Sequence, residues 1–254
     1  MTQRLHLISR VASGAFSTVD HVRDLDSGLE LAFKRPQPGR RRAEEQLRRE
    51  GEVLRSVSHP HIVALHEAGE DEEGGYLLLE WVDGETLDQR IERETFTATT
   101  LPSVLAPVLQ ALDAVHAAGF AHGDVSAANV LLRRDGWVKL IDFGNTWPLD
   151  ETRDRSITEP NVGSVYHMAP ELFSGQTPNI RSDMYALGVL AWHAITRRFP
   201  FEGETPAQVI TGHLRLDLQP LPPSAISGWI HRLLSRDPSA RPASALEALH
   251  SLQG

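Results

Sequence analysis

His122-Gly123-Asp124-Val125-Ser126-Ala127-Ala128-Asn129, followed shortly by Asp142-Phe143-Gly144, is the stretch that decides how this chain is read. An Asp, an Asn five residues on and a second Asp before Phe-Gly fall close together. The interval Val130–Ile141 reads as two short apolar strands joined by Asp135-Gly136, a dipeptide favoured in tight hairpin turns. A hairpin returns the chain on itself, so Asn129 before it and Asp142 after it come together. Three oxygen-bearing side chains then converge at one end of a small sheet. Hard cations such as Mg²⁺ take such ligands, with phosphate oxygens and water completing the octahedron.

The surrounding chain sets the bounds. Its 254 residues can bury a sizeable core as one large domain or two lobes. Hydrophobic content of 41% and charged content of 23% are ordinary for a soluble globular protein. No apolar run is long enough to span a bilayer, and the N-terminus lacks a signal-peptide pattern, so the expectation is a cytoplasmic protein. There are no cysteines, hence no disulfide or thiol chemistry. A net charge of −9 argues against nucleic acid as a partner. The basic clusters Arg40-Arg41-Arg42 and Arg48-Arg49 alternate with Glu44, Glu45 and Glu50 at helical spacing and read as a solvated helix face. His59 and His61 lack the further ligands of a metal site and read as structural.

The opening stretch resembles the catalytic loop, H-R-D-x-x-x-x-N, and the D-F-G motif of eukaryotic-type serine/threonine protein kinases. The resemblance implies an α+β, bilobal protein kinase fold across residues 1–254 as a single domain. A β-rich N-lobe with one main helix would cover 1–82, with a hinge near 80–84. A mainly helical C-lobe would cover 85–254. Asp124 would be the catalytic Asp. Asn129 and Asp142 would hold Mg²⁺, or Mn²⁺ in its place, and ATP would be the phosphoryl donor.

Other segments extend the resemblance. Ala12-Ser13-Gly14-Ala15-Phe16-Ser17-Thr18-Val19 aligns with the phosphate-cradling Gly-rich loop but retains only Gly14 of its three glycines. Leu31-Ala32-Phe33-Lys34 resembles V-A-I-K, closing a third strand on the lysine that holds α- and β-phosphates. Its carboxylate partner would come from the helix Arg41–Val57. Anchoring on His59-Pro60-His61-Ile62-Val63 places Glu50 there, with Glu44, Glu45 and Glu52 as alternatives. Leu47, Leu54 and Val57 share one helix side with Glu50, which directs it inward. Leu77–Gly84 is similar to the segment that links the two lobes. Leu79 would be the gatekeeper, the backbone near Glu80 and Val82 would meet the adenine edge, and Val19, Ala32 and Leu131 would sandwich the ring.

The second half has helical periodicity over Thr86–Glu94 and over Ser103–Ala118, where Pro107 predicts a kink or a later start. Ala169-Pro170-Glu171 resembles the close of an activation segment, with Glu171 pairing Arg241 of a D-P-x-x-R-P-like stretch. Asp183, at the start of the central helix, would anchor the catalytic loop. His122 reads as a packing residue under Phe143, with Leu54 and Leu65 completing an apolar stack.

Three departures bear on activity. Gly123 replaces the Arg that, in the family, reads a phosphorylated activation loop, which suggests independence of such phosphorylation. Ser126 stands where most serine/threonine members carry a Lys facing the γ-phosphate. The Gly-rich loop has lost two glycines. Thr152, Ser156, Thr158 and Ser164 could accept phosphate, autophosphorylation included, although ordinary loop hydroxyls are the favoured reading. The resulting expectation is an ATP-dependent kinase acting on Ser/Thr of protein substrates, resembling bacterial members. The alternatives are a nucleotide-binding pseudokinase or scaffold, and a small-molecule phosphotransferase of kinase-like fold.

Overall fold

A computed structural model describes residues 4–151, 164–216, 218, 220, 221 and 223–253. The first third forms an antiparallel sheet from β1 (Leu5–Ser13), β2 (Ser17–Asp24), β3 (Glu30–Pro36), β4 (Leu65–Asp71) and β5 (Gly74–Glu80), in the order β1-β2-β3-β5-β4. β5 lies inside the sheet, and successive side chains of a strand point to opposite faces. Tyr76 and Leu78 join Leu5, Val22, Leu31 and Phe33 on one face. Leu77 and Leu79 join the main core on the other. A strand covered on both sides needs a continuous apolar run, and Tyr76-Leu77-Leu78-Leu79 supplies one.

The helix α1 (Arg41–Ser56) buries Ala43, Leu47, Glu50, Val53 and Leu54, the three- and four-residue steps of one face. Arg41–Glu45 and Arg48–Glu52 form exposed i,i+4 ion pairs, so the basic cluster is a solvated face. Lys34 does not close β3. Pairing with β2 runs on to Ser17↔Pro36, leaving Lys34 inside the strand between Val19 and Leu77.

Residues 81–83 lead into β6 (Gly84–Thr86), which pairs with β8 (Val130–Arg133). Helix α2 (Leu87–Arg93) starts with a reciprocal capping box between Thr86 and Gln89. Helix α3 (Pro102–Ala117) runs through Pro107, so the later start is not taken. Pro107 sits early in the helix, where it removes a single backbone bond. Burial of Val104, Leu105, Val108 and Leu109 around it holds the helix together. Beyond β7 (Phe120–Ala121) comes the opening stretch, and β8 then pairs with β9 (Val138–Leu140) around a turn in which Gly136 takes φ +85°. The expected hairpin is present, completing a sheet of order β6-β8-β9. A short strand, β10 (Trp147–Pro148), lies against β7.

The remaining helices are α4 (Ile180–Thr196), α5 (Pro206–Arg215), α6 (Ser227–Leu233) and α7 (Ala245–Gln253). Most residues of α4 are buried, as in a helix at the centre of a bundle. A Cβ at Gly188 would lie 2.8 Å from Leu233 Cβ, so glycine lets α6 approach α4. The architecture is the bilobal kinase fold: a β-rich lobe with α1, then a mainly helical lobe. Among the described residues no helix is long and apolar enough to cross a membrane.

Candidate active site

Strand β3 and helix α1 bring Lys34 and Glu50 together. Lys34 Nζ donates to Glu50 Oε2 at 2.6 Å and to Asp142 Oδ1 at 3.1 Å. Glu50 is 1% exposed and Lys34 7%. Burying an ion pair is costly unless its charges are matched. Here two carboxylates flank one ammonium. Burial works against the Lys34 ammonium, yet Asp142 and Glu50 together hold its pKa well above the usual lysine range. Burial likewise opposes ionisation of Asp142, but Lys34 outweighs it and the carboxyl lies below its ordinary value. For Glu50 burial prevails over Lys34, and the pKa is raised. Of the acidic candidates on α1, Glu50 is the one in contact with Lys34. Glu45 and Glu52 are engaged by Arg41 and Arg48.

Asp142 has φ +63°, a left-handed conformation uncommon outside glycine. The bend turns its carboxylate back to accept from the Gly144 N–H at 3.3 Å. Phe143 is fully buried and meets His122 edge-on at 4.9 Å. His122 is buried too, with Nε2 3.3 Å from the Ile141 carbonyl, in keeping with a packing role.

Asp183, in the first turn of α4, fixes the catalytic stretch from below. Its carboxylate accepts from the His122 N–H at 2.8 Å and the Gly123 N–H at 2.9 Å, and lies 2.8 Å from His116 Nε2. Gly123 itself takes φ +74°. The Asn145 carbonyl passes 2.4 Å from where a Cβ at Gly123 would sit. Glycine therefore meets both a backbone and a packing demand.

Asn129 Nδ2 donates to the Asp124 carbonyl at 2.9 Å, and the Asn129 carbonyl accepts from the Ile141 N–H at 2.9 Å. The hairpin thus sets Asn129 beside the residue preceding Asp142. Asn145 Nδ2 donates to Asp124 Oδ2 at 3.1 Å. Burial, and next the charge of Asp142, push the Asp124 carboxyl above its ordinary value, while hydrogen bonds from Asn145 and Asn129 oppose the rise. A raised pKa makes a carboxylate a better proton acceptor.

The donor set suits a hard cation such as Mg²⁺. Because Nδ2 of Asn129 is the donor, its Oδ1 is left to accept or ligate. Among the described residues Asp142 engages Lys34 and Gly144 through Oδ1, which leaves Oδ2 to ligate. Two hard oxygens on neighbouring residues, with phosphates and water supplying the rest, fit Mg²⁺. Among the described residues no cluster that could hold a metal includes His59 or His61; His61 stacks on Trp137 at 4.7 Å, and Nδ1 of His61 lies 2.8 Å from the Val138 carbonyl.

A cavity of about 830 Å³ joins these groups. Gly14, Ala15, Phe16, Lys34, Glu50, Asp124, Asn129 and Asp142 all line it, as does Ser126. Ala12, Ser13, Val19, Ala32, Leu79, Glu80, Val82 and Leu131 lie outside its lining. Strand pairing nevertheless sets Ala12, Val19, Ala32 and Leu79 on the same sheet face as Lys34. Ala12 pairs with Val19, Val19 with Lys34 and Ala32 with Leu79, across one sheet, while Leu131 pairs with Thr86 in the next. The Glu80 N–H is already donated to the Ala64 carbonyl at 2.8 Å, and its carboxylate accepts from Lys139 at 2.7 Å. Phe16, at the tip of the β1–β2 turn, stands beneath the Arg42 guanidinium, 5.2 Å from its ring centre.

Away from the cavity, Arg241 donates to both carboxylate oxygens of Glu171. Thr152, Ser156 and Thr158 lie outside the described residues. Ser164 opens a short 3₁₀ turn, Ser164–Tyr166. Sequence reasoning missed His116, Asn145 and Gln46, and also the stack of His21 on Trp81 at 3.7 Å. An amide directly after D-F-G was the one available signal, pointing to Asn145.

Residues 5–252 match the family model described as the protein kinase domain, and the chain belongs to that family. It is 33% identical over 233 residues to a probable serine/threonine-protein kinase of Corynebacterium efficiens, covering 88% of this chain and 35% of the relative. The probable serine/threonine-protein kinase PknB of Corynebacterium glutamicum is 34% identical over 236 residues, 88% of this chain and 36% of its own. Serine/threonine-protein kinase PknB of Mycobacterium tuberculosis is 30% identical over 264 residues, 97% and 42%. The chain thus spans well under half the length of these curated relatives. Its resemblance is to bacterial serine/threonine kinases.

Proposed function

We propose that residues 1–254 act as one ATP-dependent protein kinase domain that transfers the γ-phosphoryl group to Ser/Thr hydroxyls of protein substrates. The observation that carries this reading is Lys34, buried and held between Glu50 and Asp142 on the wall that also presents Asp124 and Asn129. Phosphoryl transfer rests on positioning and charge neutralisation, and these residue types provide both. Lys34, oriented by Glu50, holds the α- and β-phosphates. Asn129 and Asp142 hold Mg²⁺, or Mn²⁺ in its place, which when bound neutralises phosphate charge. Asp124 accepts a hydrogen bond from the acceptor hydroxyl and takes its proton as oxygen bonds to the γ-phosphorus and the bond to ADP breaks. Gly14, Ala15 and Phe16 cover the phosphates, with Ala12 and Ser13 leading into that turn. Val19, Ala32, Leu79, Glu80, Val82 and Leu131 surround the adenine.

Transfer proceeds without phosphorylation of the activation segment, since Gly123 offers no cation to read a phosphate. We assign the domain to the cytoplasm, where ATP and protein substrates are present, and it can act on its own hydroxyls. The test is transfer of labelled γ-phosphate to a generic protein and to itself, with Asp124→Asn as control. Transfer abolished by that change supports the reading. Undiminished transfer in Asp124→Asn removes Asp124 from the role. Nucleotide binding without transfer in either protein favours a pseudokinase, and phosphate appearing only on an added sugar or choline favours a small-molecule phosphotransferase.

A further inference from the structure

Asn145 lies just beyond the D-F-G motif, and its side chain bridges two elements. Nδ2 donates to Asp124 Oδ2 at 3.1 Å. Oδ1 accepts from Gln46 Nε2 at 2.8 Å. Gln46 stands on α1, one turn before Glu50.

The chemistry of the three groups fixes their polarity. An ionised carboxylate only accepts, so Asn145 must present its NH₂ to Asp124. Its carbonyl oxygen then faces Gln46, which must present an NH₂ in turn. No other orientation of either amide satisfies both contacts. The relay runs donor to acceptor from α1 to Asp124.

The backbone supports the same arrangement. A Cβ at Gly144 would sit 3.3 Å from Gln46 Cβ, so the D-F-G turn is pressed against α1. The Asn145 carbonyl occupies the space a side chain at Gly123 would enter. Arg49, also on α1, donates to the Thr146 carbonyl at 3.2 Å. The segment after the D-F-G motif is therefore held between α1 and the catalytic stretch by this chain's own groups.

We infer that Asn145 is a positioning residue for Asp124, and that Gln46 ties this positioning to the inward placement of α1. The inference rests on the kinase reading above and adds to it. Glu50 and Gln46 lie on one helix. When α1 sits inward it both orients Lys34 through Glu50 and aims the Asp124 carboxylate through Gln46 and Asn145. One helix position thus serves the phosphate-holding lysine and the proton acceptor together. In place of a cation at Gly123, a pair of neutral amides does the alignment.

Steady-state kinetics of the same domain separate aiming from binding. Asn145→Leu keeps the branched outline and removes both the donor and the acceptor. The expected result is a fall in kcat of about tenfold to a hundredfold, the range that a small misplacement of a reacting group produces, with KM for ATP within about twofold. Gln46→Glu cannot donate to Asn145 and should also lower kcat, whereas Asn145→His, which can offer a ring N–H, should recover part of the loss. An unchanged kcat in folded Asn145→Leu overturns the inference. So does a parallel loss of kcat and ATP affinity, which would mark a merely structural residue. A second readout does not depend on turnover. The side-chain amide resonance of Asn145, followed by ¹⁵N NMR, should shift in both Gln46→Leu and Asp124→Asn. A resonance unmoved by either overturns the relay even if the protein transfers no phosphate, a result that would by itself count against the kinase reading.

Discussion

Arg241 grips Glu171 with two parallel hydrogen bonds, Nη1 to Oε1 at 2.7 Å and Nη2 to Oε2 at 2.9 Å, in a site where Arg241 is 1% exposed. The guanidinium also lies 4.8 Å from the ring centre of Tyr185 and donates to the carbonyls of Ser235 and Arg181. It therefore joins the loop before α7 to the close of the activation segment and to α4.

Removing one partner of such a pair strands the other charge in a dry site. Arg241→Leu should lower stability by about 3–5 kcal/mol, read from the midpoint of urea unfolding. Pairing it with Glu171→Gln should cost less than the sum of the two single changes, because the stranded charge is removed. Strict additivity would mean that the pair does not act as a unit.

Gly123 invites the opposite experiment. Gly123→Arg restores the residue type common in the family, but the site has no room for it. The position has φ +74°, and a Cβ there would lie 2.4 Å from the Asn145 carbonyl oxygen. We expect a loss of about 1–3 kcal/mol of stability and lower turnover, not a gain. Higher turnover at unchanged melting temperature would contradict that packing argument.

Ser126 is the more tractable departure. It lines the cavity, is mostly buried, and makes no side-chain capping hydrogen bond to the 3₁₀ turn that follows. That turn therefore does not depend on its hydroxyl. Ser126→Lys would bring a cation to the wall that holds Asp124 and Asn129, where on the proposed reading charge would develop on the transferring phosphoryl group. Turnover should rise by about threefold to tenfold. Equal or lower turnover in a folded variant rules the idea out.

His213 predicts an acid limit to stability. It is fully buried, with Nδ1 2.7 Å from the Tyr185 hydroxyl. Burial pushes its imidazole down to about 4 from 6.5, against the opposing backbone of Tyr166 and Val165. Burial likewise takes His167 down to about 3. The unfolded chain binds these protons near pH 6.5, while the folded chain resists them until far lower. Stability is thus complete above about pH 6.5 and falls as pH drops towards 4, by about 3 kcal/mol for His213 alone. Urea midpoints measured between pH 7 and pH 4.5 should decline. His213→Gln should flatten part of that decline, and an identical slope in the variant would assign it to other groups.

The sequence by itself determined the order of elements and put the candidate site residues in view. Alternation in Leu5–Phe33, the apolar run Leu77–Leu79 and the Asp135-Gly136 turn are local patterns, set by strand periodicity and turn sterics. They needed no partner to be legible. The spacing of Asp124, Asn129 and Asp142 announced a site because the hairpin between them leaves few ways to arrange them. Choosing Glu50 from four acidic residues was half local, since helical periodicity turned it inward, and half a matter of alignment.

What lies between distant segments was decided only in three dimensions. Pro107 pointed to a kink or a later start, yet burial on both sides carries α3 through it. Lys34 looked like a strand end, yet cross-strand pairing with β2 prolongs β3 beyond it. Gly123 looked like a simple loss, and proved to be the clearance that the Asn145 backbone requires. Gln46 and Asn145 carry no pattern of their own. They are ordinary amides, 99 residues apart, and their hydrogen bond exists only because the D-F-G turn packs against α1. Periodicity and turn chemistry are written along the chain. A contact between remote side chains depends on how the packed elements meet, and the core settles that.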